Sequence, residues 1–489
     1  MNKTQTATLW ENDVYGAPVL NVHPRGNGVF VISDLHLAAG LNTCNNFEGT
    51  ENFFADDSFV RFLDHLQSNC IRDSSAVLII NGDFIDFLRI TNIPVSDEDF
   101  ETWHQILQPV GINKPIDELK ESITKKEIKY GLKTHHFKSV WKLHACIKGH
   151  TKLFTRLAKW ISDGNELIIT KGNHDLEWYW PEVRNSFQYW LGNSIAQKQG
   201  DDVEKIISET IKPNVLFVDD TLIIDNKIYI EHGHRYENTT NVKGDPLIDN
   251  KQELNLPFGS FFNRYLINRV ELLYPYLDNV RPTQNILLVL FRERFPFAIK
   301  MLFRYLWLMC LLIQKRIFWQ TLKYFFTFFL IIVVPVAITA FAIFHDWTSS
   351  EATTKKSFAS EQALSIVKNL GFLFLSYLFG RIMALVKLKS PYSFSPHAQD
   401  IFYKNEALEI VTFGHSHNPE QVNNLTSWYF NTGTWIPIYE SSSTEVRMDK
   451  TYTFLQINRD DEGNFKALPL QRWNDDALRD DALVLNERK

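Results

Sequence analysis

Five short polar fragments punctuate this chain, and each one ends a run of β-branched or other apolar residues. They are Asp34-Leu35-His36, Gly82-Asp83, Gly172-Asn173-His174-Asp175, Glu231-His232-Gly233-His234 and Gly414-His415-Ser416-His417. The runs before them, Gly28–Ser33, Ala76–Asn81, Glu166–Lys171, Lys227–Ile230 and Leu408–Phe413, predict buried strands. Side chains just past the carboxyl ends of parallel strands converge on one crevice, which is where α/β sheets bind what they act on. His, Asp and Asn brought together in this way predict a two-metal site.

The chemistry of such a site fits the residue types. Two divalent ions can clamp a phosphate and hold a hydroxide in line with the phosphorus. One carboxylate must bridge them, and Asp83 is the candidate. Asp34 and His36 project to the same side of an extended strand end and would serve the first ion with Asp83 and His417. Asn173, His232 and His415 would complete the second. Mixed imidazole and oxygen donors suit Mn, Fe, Zn or Co better than Ca or Mg, with Mn the first choice. His174 would face the site without being a ligand, and would donate a proton to the leaving oxygen or neutralise the phosphate, with Asp175 orienting it.

In order and spacing these fragments resemble the calcineurin-like metallophosphoesterases, whose pattern runs D-x-H, G-D, G-N-H-D or E, H, and G-H-x-H. Asp34/His36, Gly82/Asp83, Gly172–Asp175, His232 and Gly414–His417 fill it, and Asn431–Thr434 resembles the loop that follows G-H-x-H in relatives. The resemblance covers a little under half the chain. It implies a four-layer α/β/β/α sandwich and the ligand and acid roles given above; the alternative is a family scaffold without catalysis. The wording Ile-Ser-Asp-Leu-His-Leu, Gly-Asp-Phe-Ile-Asp-Phe and His-Gly-His is nearest to the UDP-diacylglucosamine hydrolase-like branch, which acts on lipid-bearing nucleotides at the inner membrane. The chain departs from that branch in keeping His174 and in carrying a very large insertion.

At 489 residues the chain predicts more than one domain. The metallophosphoesterase domain is expected over 20–245 and 400–460, with a helical cap insertion over about 95–160. Ser58–Asn69, with Phe59, Phe62, Leu63 and Leu66 at helical spacing, is the first crossover helix, and Asp64 and His65 read as its solvated face. In the cap, His135, His136, His144 and His150 give no ligand spacing and read as exposed, and Trp103, Phe137 and Trp141 would line the cap or form its core. Trp178 and its aromatic neighbours read equally as a grip on substrate or as packing. Arg235, beside His234, would meet a substrate phosphate or pair with Glu231 or Glu237. Residues 461–489 read as a polar tail.

Residues 246–399 have a different composition. Of the 37 Phe, 15 fall between Phe291 and Phe379. Tyr324–Phe344 is 21 residues without a charge, long enough to cross the hydrocarbon layer of about 30 Å as a helix. Leu370–Val386, with Arg381 near its end, is a second candidate. Two transmembrane helices are therefore expected, at 322–345 and 369–387. His232 and His415 lie on either side of this region yet serve one ion, so the number of crossings must be even. Lys315, Arg316 and Lys323 before the pair, with Lys387 and Lys389 after it, put the catalytic domain in the cytoplasm. Residues 285–313, with Arg292, Arg294, Lys300 and Arg304 among apolar runs, read as interfacial helices against membrane lipids, or else as core helices.

A net charge of −6 gives no sign of a nucleic-acid partner. Cys44, Cys70, Cys146 and Cys310 show neither disulfide nor zinc-type spacing, and the polar Met1–Gly16 has no signal-peptide pattern. Together these imply a hydrolase of phosphate esters or pyrophosphates at the cytoplasmic face of the membrane, on a lipid-linked or nucleotide-lipid substrate. The alternatives are a tethered phosphodiesterase acting on soluble nucleotides or nucleic acid, and a non-catalytic scaffold.

Overall fold

The computed structural model describes residues 8–10, 19–268, 393–483 and 485 apart from short gaps, together with scattered positions between 280 and 326. It is a mixed α/β protein built on two large sheets. The chain divides into one unit made of Met1–Ile286 with Pro391–Lys489, and a second of Leu287–Ser390.

In the first unit the strands are β1 Thr8–Trp10, β2 Val19–Val22, β3 Gly28–Ile32, β4 Ala76–Asn81, β5 Glu166–Thr170, β6 Val215–Val218, β7 Thr221–Ile224 and β8 Ile228–Glu231. After the excursion come β9 Ile410–Phe413, β10 Glu420–Asn423, β11 Trp428–Asn431, β12 Thr453–Arg459, β13 Phe465–Ala467, β14 Gln471–Asn474 and β15 Arg479–Ala482. One sheet runs β1-β2-β7-β8-β9-β11-β10; the other runs β15-β14-β12-β3-β4-β5-β6, with β13 paired to β12. Strands β3 to β6 are parallel neighbours, as are β8, β9 and β11.

Alternation along the strands decides what each face covers. Val29, Val31, Val77, Ile79 and Ile168 join Leu222, Ile224, Ile228, Ile230, Ile410 and Phe430 of the other sheet in one buried cluster. The intervening Phe30, Ile32, Leu78, Ile80, Leu167 and Ile169 pack instead with residues of the helices. On the far side of the first sheet, Ile223, Tyr229, Val411, Phe413 and Tyr429 pack with Phe394, Ala398 and Ile401. Burial on both faces explains why β4 and β5 read as unbroken apolar runs.

The helices are α1 Asp56–His65, α2 Asp97–Leu107, α3 Ile116–Glu121, α4 Lys125–Tyr130, α5 His136–Gly149, α6 Thr151–Ser162, α7 Pro181–Gln199 and α8 Ser395–Lys404. Capping boxes start α2 (Ser96 with Asp99) and α4 (Thr124 with Glu127). The stretch expected as a cap is helical, and Trp103, Phe137 and Trp141 are core residues: Trp103 and Phe137 stack at 5.8 Å.

Three expectations change. His150 is 1 % exposed rather than solvated, because Glu51 and Asp56 enclose it. His65 is half-buried and lies 3.1 Å from Asp480. The expected polar tail instead forms strands β13 to β15. Leu470 and Trp473 are buried there, and Trp473 packs on Phe62 of α1, which gives this acidic stretch the apolar anchor that its composition hides.

Among the described residues no helix is long and apolar enough to cross a membrane. Apart from Phe326, the proposed spans 322–345 and 369–387 lie outside those residues. Within 285–313, residues 295–297, 299–300 and 303–304 are helical, with Phe295 and Phe303 exposed.

Candidate metal centre

All five fragments emerge where the sequence places them, past the carboxyl ends of β3, β4, β5, β8 and β9. The backbone there is unusual. Asp34, His36, Asp83, His415 and His417 all have φ between 50° and 65°, the left-handed region that side chains with a Cβ rarely enter. Each such residue costs on the order of 1–3 kcal/mol and persists only where its surroundings hold it.

Those surroundings are tight. A Cβ on Gly82 would lie 2.4 Å from His232 Nδ1, and one on Gly172 would lie 2.1 Å from Asp83 Oδ1. The loop Asn431–Thr434 braces the first and fifth fragments: the Thr434 hydroxyl donates to the Asp34 carbonyl at 2.7 Å, and the Asn431 amide to the Gly414 carbonyl at 2.7 Å.

The ligand-type atoms fall into overlapping groups. Asp34, His36 and His417 form one, His36, Asp83 and His174 a second, and Asp83, His232 and His415 a third. Asp83 Oδ2 stands between them, 3.1 Å from His232 Nε2 and 3.7 Å from His36 Nε2. Its other oxygen accepts from the His174 amide at 2.8 Å. Asp34 Oδ2 accepts from the His415 amide, which leaves Oδ1 turned toward His417 Nε2 at 3.2 Å. The positions expected for Asp34, His36, Asp83, His232, His415 and His417 are thus brought together.

The donor set fits cations on the evidence of its own unmet atoms. Asn173 Oδ1 is buried without a hydrogen-bond partner, and Asp34 Oδ1 and His232 Nε2 make only charge contacts, to His417 and Asp83, without hydrogen-bond geometry. His36 Nε2 and His417 Nε2 face each other at 3.0 Å, where one shared proton would join them and a metal ion would replace it. Buried polar groups are normally satisfied, so a cluster of exceptions needs a reason. Metal ions accepting those lone pairs would be one.

The carboxylates of this group favour positive charge beside them. Burial opposes ionisation of Asp34, but His417 and His232 hold its carboxyl well below the usual range. Burial likewise opposes charge on Asp83, and His232 and His174 hold it low. Burial lowers the two rings, yet the carboxylates raise His36 to about 10 and His232 to about 9. Two ring tautomers are also fixed from outside the group. His232 Nδ1 donates to the Asn81 carbonyl at 2.8 Å, and His36 Nδ1 lies 3.2 Å from Asp86 Oδ2.

His174 reaches the site, but its expected orienter does not touch it. The Asp175 carboxylate accepts from the amides of Gly172 at 2.6 Å and Phe84 at 2.9 Å, and from Trp178 Nε1 at 3.1 Å. It shapes the turn, and burial beside the Asp83 charge pushes it up to about 7. The residue that meets His174 Nδ1, at 2.8 Å, is Asp86. Burial works against protonation of this ring, but Asp86 and Asp83 raise it above the ordinary value. Asp86 was in plain view, three positions after Asp83 in Gly-Asp-Phe-Ile-Asp-Phe. Sharing one turn with a ligand was the signal that could have found it.

The residues expected to bind substrate fare differently. Trp178 is 1 % exposed and packs on Phe87, Phe187 and Phe217, so it supports Asp175 instead of gripping a ligand. Arg235 pairs with Glu231 and donates to the Tyr229 hydroxyl at 2.8 Å. His234 sits behind His232, with ring centroids 5.5 Å apart; burial and the neighbouring His232 push it well below its usual value.

Comparison with models of known protein families gives no match to this chain, and comparison with curated proteins gives none either.

Proposed function

We propose that this chain is a metal-dependent hydrolase of phosphate esters or pyrophosphates, with the four-layer α/β/β/α architecture of the calcineurin-like metallophosphoesterases. The observation that carries this reading is the convergence of ligand-type atoms from five strand ends, with Asn173 Oδ1 among them buried and without a hydrogen-bond partner. Asp34, His36 and His417 would hold one divalent ion, and Asn173, His232 and His415 the other, with Asp83 shared. When bound, the two ions supply Lewis acidity toward a phosphoryl group and activate water, in the manner of two-metal hydrolases.

The chain's own residues do the rest. Asp86 orients His36 and His174 together, so one carboxylate sets both a ligand and the proton donor. His174, which burial lowers but Asp86 and Asp83 raise above its ordinary value, is the group placed to give a proton to the departing oxygen. Asp175 acts at one remove, bracing the turn that presents Asn173 and His174. The charge-free Tyr324–Phe344 and the basic flanks support a membrane setting with the site facing the cytoplasm, and a substrate that carries lipid beside its phosphate.

Purified full-length protein, stripped of metal and then supplied with Mn, is to be assayed on a chromogenic phosphodiester, a phosphomonoester and extracted membrane lipids. Turnover of at least one that appears with Mn and disappears with chelator is the expected result. Protein that binds two ions yet hydrolyses none of the three would overturn the reading. A preference for the lipid extract would place the substrate in the membrane; turnover of the soluble diester alone would make the protein a tethered phosphodiesterase.

A further inference from the structure

A second constellation of metal-binding side chains lies away from this centre, where the end of α1 meets the C-terminal hairpin. Helix α1 passes directly into a widened turn, Leu66–Cys70, in which the backbone bonds skip five residues. Single widened turns of this kind recur at functional sites. Here the turn brings Cys70 near His65, although the two are five positions apart.

Across from them stand β14 and β15, paired with Trp473 opposite Asp480. The Trp473 indole lies against His65, with ring centroids 5.2 Å apart. A ligand atom from each of His65, Cys70 and Asp480 lies within 4.8 Å of the other two, and all three residues are half-buried. His65 Nε2 is 3.1 Å from Asp480 Oδ2, and the Asn69 amide lies 3.0 Å from His65 Nδ1. That amide can turn over and accept from Nδ1–H, which frees Nε2 as a ligand.

The second oxygen of Asp480 makes the case more than a hydrogen-bonded His–Asp pair. Asp480 Oδ1 is buried and has no hydrogen-bond partner. A carboxylate with one oxygen spent on His65 and the other unmet, beside a thiol that is a poor donor, lacks a cation. One imidazole, one thiolate and one carboxylate are donors that suit zinc, whereas calcium and magnesium would take oxygen alone.

We propose that His65, Cys70 and Asp480 form a mononuclear site for a zinc-class divalent ion, completed by solvent in the fourth position. On binding, the Cys70 sulfur exchanges its proton for the metal, and the proton leaves to solvent. The ion ties the C-terminal hairpin to the end of α1, so residues that read as a polar tail become a fastened edge of the eight-stranded sheet. Its role is structural, and it is independent of the candidate phosphoesterase centre, which contains no thiol.

The test uses metal-stripped full-length protein titrated with Co(II). A thiolate-to-cobalt charge-transfer band is expected in the wild type and absent in Cys70→Ser, with one ion fewer bound per chain. Asp480→Asn should keep the band but weaken Co(II) binding by at least about 10–100-fold, the loss that even an outer-sphere partner produces. Alkylation of Cys70 should slow when Zn is added, while the exposed Cys44 reacts at an unchanged rate. This last measurement needs no variant and stands even if Cys70→Ser fails to fold. Absence of the band in the wild type, its survival in Cys70→Ser, or alkylation of Cys70 indifferent to Zn would each overturn the site. Failure of the phosphoesterase reading would leave the band in place with a single ion bound.

Discussion

Two buried clusters of histidine and carboxylate occur in the first unit, and they are built on opposite terms. In the first, Asp34, His36, Asp83 and their partners adopt left-handed backbone and leave buried atoms without a hydrogen-bond partner. In the second, His150 is clamped between Asp56 at 3.0 Å and Glu51 at 3.1 Å. Glu51 also accepts from the amides of Ala38, Gly40, Asn52 and Phe53. None of Glu51, Asp56 and His150 has positive φ, and none has an atom left over. The same residue types therefore do two jobs. Where every lone pair is met inside the protein, the cluster is a fastener; where strain coincides with unmet lone pairs, the cluster is waiting for something.

That contrast can be broken most severely at Asp83. Asp83→Ala should abolish hydrolysis and lower the content of both ions, because one carboxylate faces both groups of ligands. Metal analysis beside turnover decides this; a variant that keeps two ions and full activity sinks the two-metal assignment.

Next in size is His174. His174→Ala should keep its metal and lose about 100- to 10,000-fold in rate on substrates with an alkoxide leaving group. The loss should shrink for a nitrophenolate, which needs no proton. Asp86→Asn should reproduce the pattern in milder form, since the Asp86 carboxylate and not that of Asp175 meets the ring. An equal loss on both leaving groups would make His174 a phosphate-binding residue instead of a proton donor.

The fastener should respond in the reverse sense. Glu51→Ala leaves the His150 charge buried beside Asp56 alone and strips four amides of their acceptor. Breaking a buried pair in this way costs about 3–5 kcal/mol. Denaturant titration should show that loss while the number of bound ions stays unchanged. Loss of metal with little loss of stability would mean that the two clusters are not distinct in kind.

How much of this was legible follows from what a sequence can encode locally. The strands were legible because β3, β4, β5, β8 and β9 are buried on both faces and so read as apolar runs, and the candidate ligands were legible because each lies within five residues of such a run. The pairing of His174 with Asp86 was not, since it is set by the register of two separate loops across parallel strands. His150 read as surface because its partners, Glu51 and Asp56, come nearly a hundred positions earlier. The fate of the C-terminal stretch was hidden too: its composition is polar, and two side chains, Leu470 and Trp473, anchor it in the core. Left-handed backbone at five candidate ligands has only a weak compositional signature, because Asp and His enter that region more often than other side chains with a Cβ but still seldom do so.

The smallest expected effect separates the clusters by pH. Burial lowers His150, but Glu51 and Asp56 raise it to about 10, against an unfolded value near 6.5. Between those values the folded chain holds a proton that the unfolded chain has released, so stability falls as pH rises. The contribution is complete below about 6.5, declines by about 1.4 kcal/mol for each pH unit above it, and is gone past about 10. His36, raised to about 10, and His232, raised to about 9, should add slopes of the same sign in metal-free protein. Saturating Mn should remove their share, because a ligand imidazole is neutral at every pH in the range. The share of His150 should persist with Mn present and vanish in His150→Gln. Stability measured by urea titration from pH 7 to 9, with and without Mn, reads out both parts. A slope that Mn leaves untouched would mean that the histidines of the candidate centre do not receive a cation, and one that Mn erases completely would mean that His150 is not the buried cation its partners imply.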